Sequence, residues 1–309
     1  MYENILNNFP KYIQEKIVYA INNNNLLEEI RFRNNRPIIL KFTDTEKILE
    51  VNVHTEEILE ILQHICDNSI YSYQSQICEG YLTIKGGHRI GITGNTVVEK
   101  EKVINIKNIS GLNFRIAKQI IGVSKNILND VLNLKNNTIY NTLIVSPPGS
   151  GKTTILRDLI RNLSNGAPEY KFNGKSVSIV DERGEIAAMY RGVPQNDIGT
   201  RTDVMDNCPK SIGMKMMIRS MSPDIIVADE IGKREDVDAI NYAVCCGIKG
   251  VFTAHGDSMR DLKLNPIINE LLEKKLMEKI IFLSKTKKGT VEKIYVLNKK
   301  EKIYECKGE

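Results

Sequence analysis

Five short apolar runs recur through the second half of this sequence, spaced widely enough to hold helices between them. They are TLIVS (142–146), SVSIVD (176–181), DIIVAD (224–229), GVFTAH (250–255) and KIIFLS (279–284). Each is rich in Ile and Val, and each is followed by polar or glycine residues. Runs of this kind read as parallel strands covered on both faces, since a sheet with a wet face would alternate. Polar groups then emerge at the carboxyl ends of the strands, where open α/β sheets place their ligands. The last run is followed by GTVEKIYVLNKKEKIYEC, whose pattern predicts an antiparallel hairpin closing the sheet. The expectation for this half is an α/β fold, with helices between the strands.

The first strand end carries the most specific chemistry. In SPPGSGKTT, Gly149, Ser150, Gly151, Lys152 and Thr153 match the end of the phosphate-loop pattern GxxxxGK[ST]. A glycine-rich turn there lets consecutive backbone N–H groups point inward, and the helix that follows presents its positive end to the same place. Pro148, Gly149, Ser150, Gly151, Lys152, Thr153 and Thr154 are therefore expected to hold a nucleotide. Lys152 reaches the β- and γ-phosphates, the Thr153 hydroxyl binds Mg²⁺, and Thr154 caps the helix or touches the α-phosphate. Ser146 stands where the pattern has its first glycine, and Pro147 and Pro148 stiffen the turn.

A second strand end supplies acids. PDIIVADEIG ends a buried run in Asp229 and Glu230. Asp229 is placed to hold Mg²⁺ through water, and Glu230 to orient and polarise the attacking water. DERGEIA (181–187) adds Glu182 and Arg183, and TAHG adds Thr253 and His255. If these strands run parallel to the first, the groups converge at the γ-phosphate. Glu182 and Arg183 have the alternative of a surface ion pair with each other, and His255 that of satisfying a loop carbonyl.

The first half reads differently. EIRFRNNRPIILKF predicts two strands around an NNRP turn, and GYLTIKGGHRIGITGNTVV, with its five glycines, a hairpin. INIKNISGLNFRIA reads as one more strand pair. Ile58, Leu59, Leu62 and Ile65 recur at helical spacing after Glu56 and Glu57, predicting a helix over 55–65. The asparagine run 22–25 reads as loop or helix-end material. A mixed α+β domain over residues 1–122 and an α/β domain over 123–309 follow, with the polar stretch LNLKNNTIYN (132–141) at the approach to the second.

Composition narrows the setting. A hydrophobic fraction of 41% and a charged fraction of 26% are those of a soluble globular protein of about two domains. The small basic excess, 43 basic against 38 acidic residues, gathers in the last 36 residues, with eleven Lys against five Glu, and reads as a solvated surface. None of the six cysteines forms a CxxC or a zinc spacing, which points to a reducing, cytosolic compartment; Cys245-Cys246 reads as buried helix surface. No run approaches the ~20 apolar residues that cross a bilayer, so any membrane connection runs through a partner.

GSGKTT, DERGEIA, RSMSPDIIVADEIG and TAHG, in that order, resemble the secretion and pilus ATPases of the traffic-warden type. EIRFRNNRPI, GGHRIGITG and LNFRIA extend the resemblance over nearly the whole chain, to the stage III sporulation protein AA family of endospore-forming bacteria. The resemblance implies a RecA-like P-loop ATPase domain behind a smaller α+β domain. It implies ATP and Mg²⁺ as cofactors, and a homo-oligomer, a hexameric ring, with nucleotide between subunits. It further implies membrane proteins of a sporulation channel as partners, at the mother-cell face of the outer forespore membrane. Catalytic roles carry over to Lys152, Glu230, Glu182 and His255. In related secretion ATPases Gly often precedes the glutamate; Asp229 here makes a fuller metal-binding pair. Arginine fingers are sought among Arg31, Arg33 and Arg89, with Arg36, Arg115, Arg201 and Arg219 as further candidates. The same core serves membrane-coupled motors, nucleic-acid motors and nucleotide switches. No Trp and no basic–aromatic stripe are present, so nucleic acid is not expected.

Overall fold

The computed structural model describes residues 2–21, 26–298, 300–301 and 303–307. The asparagine run 22–25 lies outside the described residues. The chain divides into two compact units, one of Met1–Lys118 with Ala188–Gln195, the other of Gln119–Ala187 with Asn196–Glu309. The expected division at 122/123 has no counterpart for the short second segment, which leaves the second unit and is counted with the first.

The first unit is a six-stranded antiparallel sheet. Its strands are β1 (Leu27–Arg33), β2 (Arg36–Phe42), β3 (Glu46–Val53), β4 (Tyr81–Ile84), β5 (His88–Glu99) and β6 (Lys102–Arg115), in the order β3-β2-β1-β6-β5-β4. Asn35, at φ +54°, makes the turn between β1 and β2. Helices α1 (Lys11–Ala20) and α2 (Thr55–Ile65) lay Ile13, Ile17, Ile58, Ile61 and Leu62 on the sheet residues Ile30, Phe32, Ile38, Leu40, Ile90 and Phe114. Phe9, Phe32 and Phe114 meet edge to face, their centroids 4.9 to 5.6 Å apart, the arrangement that ring quadrupoles favour. Two expectations change here. Leu59 is exposed and Ile61 takes the buried place on α2, because the stripe runs 58, 61, 62, 65. INIKNISGLNFRIA forms no strand pair but belongs to the single strand β6, which pairs with β5 and, at its end, with β1. Asn108 and Gly111 are a kink and a close approach, not turns: a Cβ on Gly111 would stand 2.8 Å from the Phe32 carbonyl.

The second unit carries β7 (Thr142–Ser146), β8 (Val177–Asp181), β9 (Thr202–Asp206), β10 (Ile225–Ala228), β11 (Lys249–His255), β12 (Lys279–Leu283), β13 (Val291–Asn298) and β14 (Ile303–Cys306). They form one sheet in the order β9-β8-β10-β11-β7-β12-β13-β14. The first six are parallel, and β13 and β14 close it antiparallel, as the hairpin pattern predicts. Every residue of β7, β8 and β10 is buried, so both faces are covered. Leu143, Val145, Val180, Ile226 and Phe252 pack with α4 (Lys210–Met221), α5 (Arg234–Cys245) and α6 (Pro266–Glu273). The alternate set, Ile144, Ile179 and Val227, is equally buried and points to the other face, as the strand period of two requires. Helix α3 (Lys152–Asn165), which leaves β7, runs against β7 and β8 and buries Ile155, Leu156, Leu159 and Ile160. Cys245 and Cys246 are both exposed, not buried: they fall at the end of α5, past its core residues Val237, Ile240 and Ala243. Among the described residues no helix is long and apolar enough to cross a membrane.

Candidate functional site

The loop 147–151 lies between the buried end of β7 and the helix that begins at Lys152. Gly149 and Gly151 hold φ +77° and +90°, the left-handed region that a side chain resists, which explains glycine at both. These turns leave the loop amides and the start of the helix free to face one anion. Ser146, in place of the pattern's first glycine, is wholly buried and donates its hydroxyl to the Pro147 carbonyl at 3.0 Å, so the strand exit accommodates it.

Lys152 is only 6% exposed, which is costly for an ammonium group without partners. Its Nζ donates to the Ser146 carbonyl at 3.0 Å and the Pro147 carbonyl at 3.4 Å, and stands 3.1 Å from His255 Nδ1. Burial pulls its pKa down, and the carboxylates of Asp229 and Glu230 act against that. The opposite ring nitrogen of His255 is 3.2 Å from Glu230 Oε1. One imidazole thus joins the phosphate-loop lysine to the second acid of the 229–230 pair.

The two acids face different groups. Asp229 accepts the Thr153 hydroxyl at 2.7 Å and also the Thr253 hydroxyl. Glu230 pairs with Arg183 and lies at φ +54°, its N–H donating to the Thr253 hydroxyl at 2.8 Å. Parallel pairing of β7, β11, β10 and β8 brings these side chains together at the carboxyl end of the sheet, which meets the condition set for their convergence. The 182–187 loop is folded back by buried Asp181, whose carboxylate accepts the N–H groups of Glu185, Ile186 and Ala187 at 2.8 to 3.0 Å. Burial still leaves the Asp181 pKa raised, because desolvation outweighs those three bonds. Arg157 holds the same loop through the carbonyls of Glu185 and Ile186.

Glu182 and Arg183 both have ion partners across the cleft. Glu182 pairs with Lys210 and, at 3.8 Å, with Lys233, while Arg183 takes Glu230. Glu182, Arg183, Lys210, Glu230, Lys233 and His255 line one open cleft. Pro148, Ser150 and Thr154 lie along the loop and the first helical turn. The candidate arginines of the first unit belong to its own sheet: Arg31 pairs with Glu29 at 2.6 Å, exposed Arg33 ends β1, and Arg89 stacks on the Tyr81 ring at 3.8 Å. Arg201 is occupied with the Ser164 carbonyl at 2.9 Å, and Arg219 is exposed at the end of α4. Lys210, Arg157 and the segment Ser284–Thr290, whose Gly289 N–H meets the Ser150 carbonyl at 3.3 Å, carry no motif that marks them in the sequence. Only the crowding of lysines in SKTKKGT hinted at the last.

The donor set fits a magnesium-bound nucleoside triphosphate. A hydroxyl and a carboxylate 2.7 Å apart are hard oxygen ligands, and Mg²⁺ takes few such groups from protein and the rest from phosphate and water. Among the described residues no cluster of three or more His, Cys, Asp or Glu could hold a metal by itself.

The fold is that of the RecA-like secretion and pilus ATPases. The structure matches the Legionella pneumophila ATPase DotB with a TM-score of 0.60 at 13% identity, covering 94% of this chain and 82% of that one. It matches the pilus retraction motor PilT, solved with bound ADP, with a TM-score of 0.59 at 15% identity, covering 90% and 77%. At such identities the likeness is one of fold. The chain belongs to the family described as sporulation stage III, protein AA, whose model matches residues 2–303. A relative, stage III sporulation protein AA of Bacillus subtilis (strain 168), is 40% identical over 270 residues, 87% of this chain and 86% of the relative. The uncharacterized protein ycf45 of Cyanidium caldarium is 31% identical over 193 residues, 60% of this chain and 54% of that protein.

Proposed function

We propose that the chain is an ATP hydrolase, the motor of a sporulation secretion or channel apparatus. In this reading hydrolysis drives assembly of, or transport through, a forespore membrane complex. The observation that carries it is the line Lys152–His255–Glu230 beside the Thr153–Asp229 pair. Thr153 and Asp229 would hold Mg²⁺, which would supply charge neutralisation to the triphosphate.

Pro148 to Thr154 grip the phosphates, and Lys152 exchanges its loop carbonyls for β- and γ-oxygens. Glu230, in the loop that follows the strand next to that of His255, orients the attacking water and accepts its proton. His255 reports on the γ-phosphate, because it touches both the lysine that binds it and the acid that acts on the water. Glu182 faces the same cleft and serves as the second acid. An arginine from Arg31, Arg33 or Arg89 completes the charge balance, supplied across a subunit boundary of a hexameric ring. The ring works at the mother-cell side of the outer forespore membrane, held by membrane proteins of the channel, with no nucleic acid involved.

The test is solution mass and steady-state ATPase with and without MgATP, for the unaltered chain and for Glu230→Gln. The variant is expected to keep nucleotide, to populate the larger assembly, and to lose hydrolysis by about 10²- to 10⁴-fold. A variant that traps neither nucleotide nor assembly removes the role given to Glu230. Full activity in Arg31→Ala, Arg33→Ala and Arg89→Ala alike removes the arginine finger from the first unit.

A further inference from the structure

We infer that the loop Ser284–Thr290 is a second, cationic wall of the nucleotide site, with Lys287 and Lys288 as phosphate-positioning residues. The inference rests on the nucleotide reading above. Strand β12 is the parallel neighbour of β7, so its carboxyl end emerges beside the phosphate loop, on the side away from Asp229 and His255. The loop that follows is built rather than slack. Ser284 N–H donates to the Thr290 carbonyl at 2.8 Å, and the Thr290 hydroxyl donates to the Lys287 carbonyl at 2.6 Å. Gly289 turns at φ +77°.

Two contacts fix this loop to the site. Gly289 N–H donates to the Ser150 carbonyl at 3.3 Å, and a Cβ on Gly151 would stand 3.8 Å from that same nitrogen. Lys285 pairs with Asp257, two residues past His255. The loop therefore spans from the residues before Lys152 to the segment after His255. Lys285 is engaged by that pairing, but Lys287 and Lys288 are exposed and form no ion pair with a described residue. Two uncommitted ammonium groups, next in the chain to a glycine seated on the phosphate loop, match a polyphosphate better than a solvated surface. Because their loop adjoins the phosphate loop and not Glu230, they raise affinity rather than speed the bond-breaking step.

The experiment compares the full chain with Lys287→Gln/Lys288→Gln and Lys287→Arg/Lys288→Arg. Binding of MgATP and of inorganic tripolyphosphate is titrated at low and high salt, and kcat and KM are measured beside it. The glutamine pair is expected to weaken both ligands about tenfold at low salt, with a shallower salt dependence, while kcat stays within about threefold. The arginine pair is expected to restore binding. Unchanged affinity and salt slope in the glutamine pair overturn the loop's role, as does a loss confined to MgATP with tripolyphosphate unaffected. An unaltered chain that binds no MgATP overturns the nucleotide reading as well, so the two failures are told apart.

Discussion

Glu230 is held in the left-handed backbone region at φ +54°, where a β-carbon costs roughly 1 to 2 kcal/mol. The conformation is fixed by its N–H, which meets the hydroxyl of Thr253 and the carboxylate of Asp229. Such strain concentrates at working sites. Glu230→Gly is therefore expected to be more stable than Glu230→Ala. Relief of strain exceeds the roughly 0.4 to 1 kcal/mol that glycine loses through its freer unfolded chain. The net gain of about 0.5 to 1 kcal/mol should raise Tm by one to three degrees in a thermal melt. Equal melting of the two variants would remove the strain. Individual residues were legible where a motif ties type to position: Lys152, Thr153 and Asp229 stand where GSGKTT and VADE put them. The partner of Arg183 was not legible, because a side chain of that length reaches several acids and only the folded loop selects one. His255 was legible as a polar strand end, but its two-sided contact depends on the neighbouring strand's register.

Among the elements, β5 begins with His88, whose ring is 5% exposed and accepts the Ala117 N–H at 3.1 Å. Burial alone pulls its pKa down to about 4. The unfolded chain then binds a proton at higher pH than the folded one, so stability is lost as pH falls from about 6.5 through about 4. The first unit should lose roughly 2 to 3 kcal/mol between pH 7 and pH 4.5 from this group. Denaturant unfolding followed by circular dichroism should show that loss reduced in His88→Gln, and an identical pH response would remove the assignment. Most strands of both units were readable from period and turn residues. Strand β9 was not, because TDVMD is a half-exposed edge with no apolar run to mark it. Strand β6 reads as a strand pair because a glycine that permits close backbone approach looks, in one dimension, like a glycine that turns.

At the scale of the whole molecule, the first unit is assembled from two separate stretches of chain. Met189–Tyr190 and Val193–Pro194 form a small hairpin, in which Arg191 pairs with Asp67 and Gln195 accepts the Gly86 N–H at 2.7 Å. A Cβ on Gly87 would stand 3.1 Å from the Ala188 side chain, so that glycine is matched to the hairpin's presence. A fragment of residues 1–118 is expected to melt several degrees below the same fragment joined by a flexible linker to 188–195. Equal melting temperatures would show that the hairpin contributes nothing to the unit. The sequence could not reveal this segment's allegiance, because its eight residues carry no long apolar run and their partners lie far away along the chain.

That split membership bears on how members of this family can be recombined. Anyone grafting the amino-terminal unit onto another motor, or exchanging it between relatives, has to transplant two non-adjacent gene segments. A chimera joined at one seam near residue 118 would inherit a mismatched patch around Gly87, and its failure would say nothing about whether the transplanted unit can serve a foreign engine.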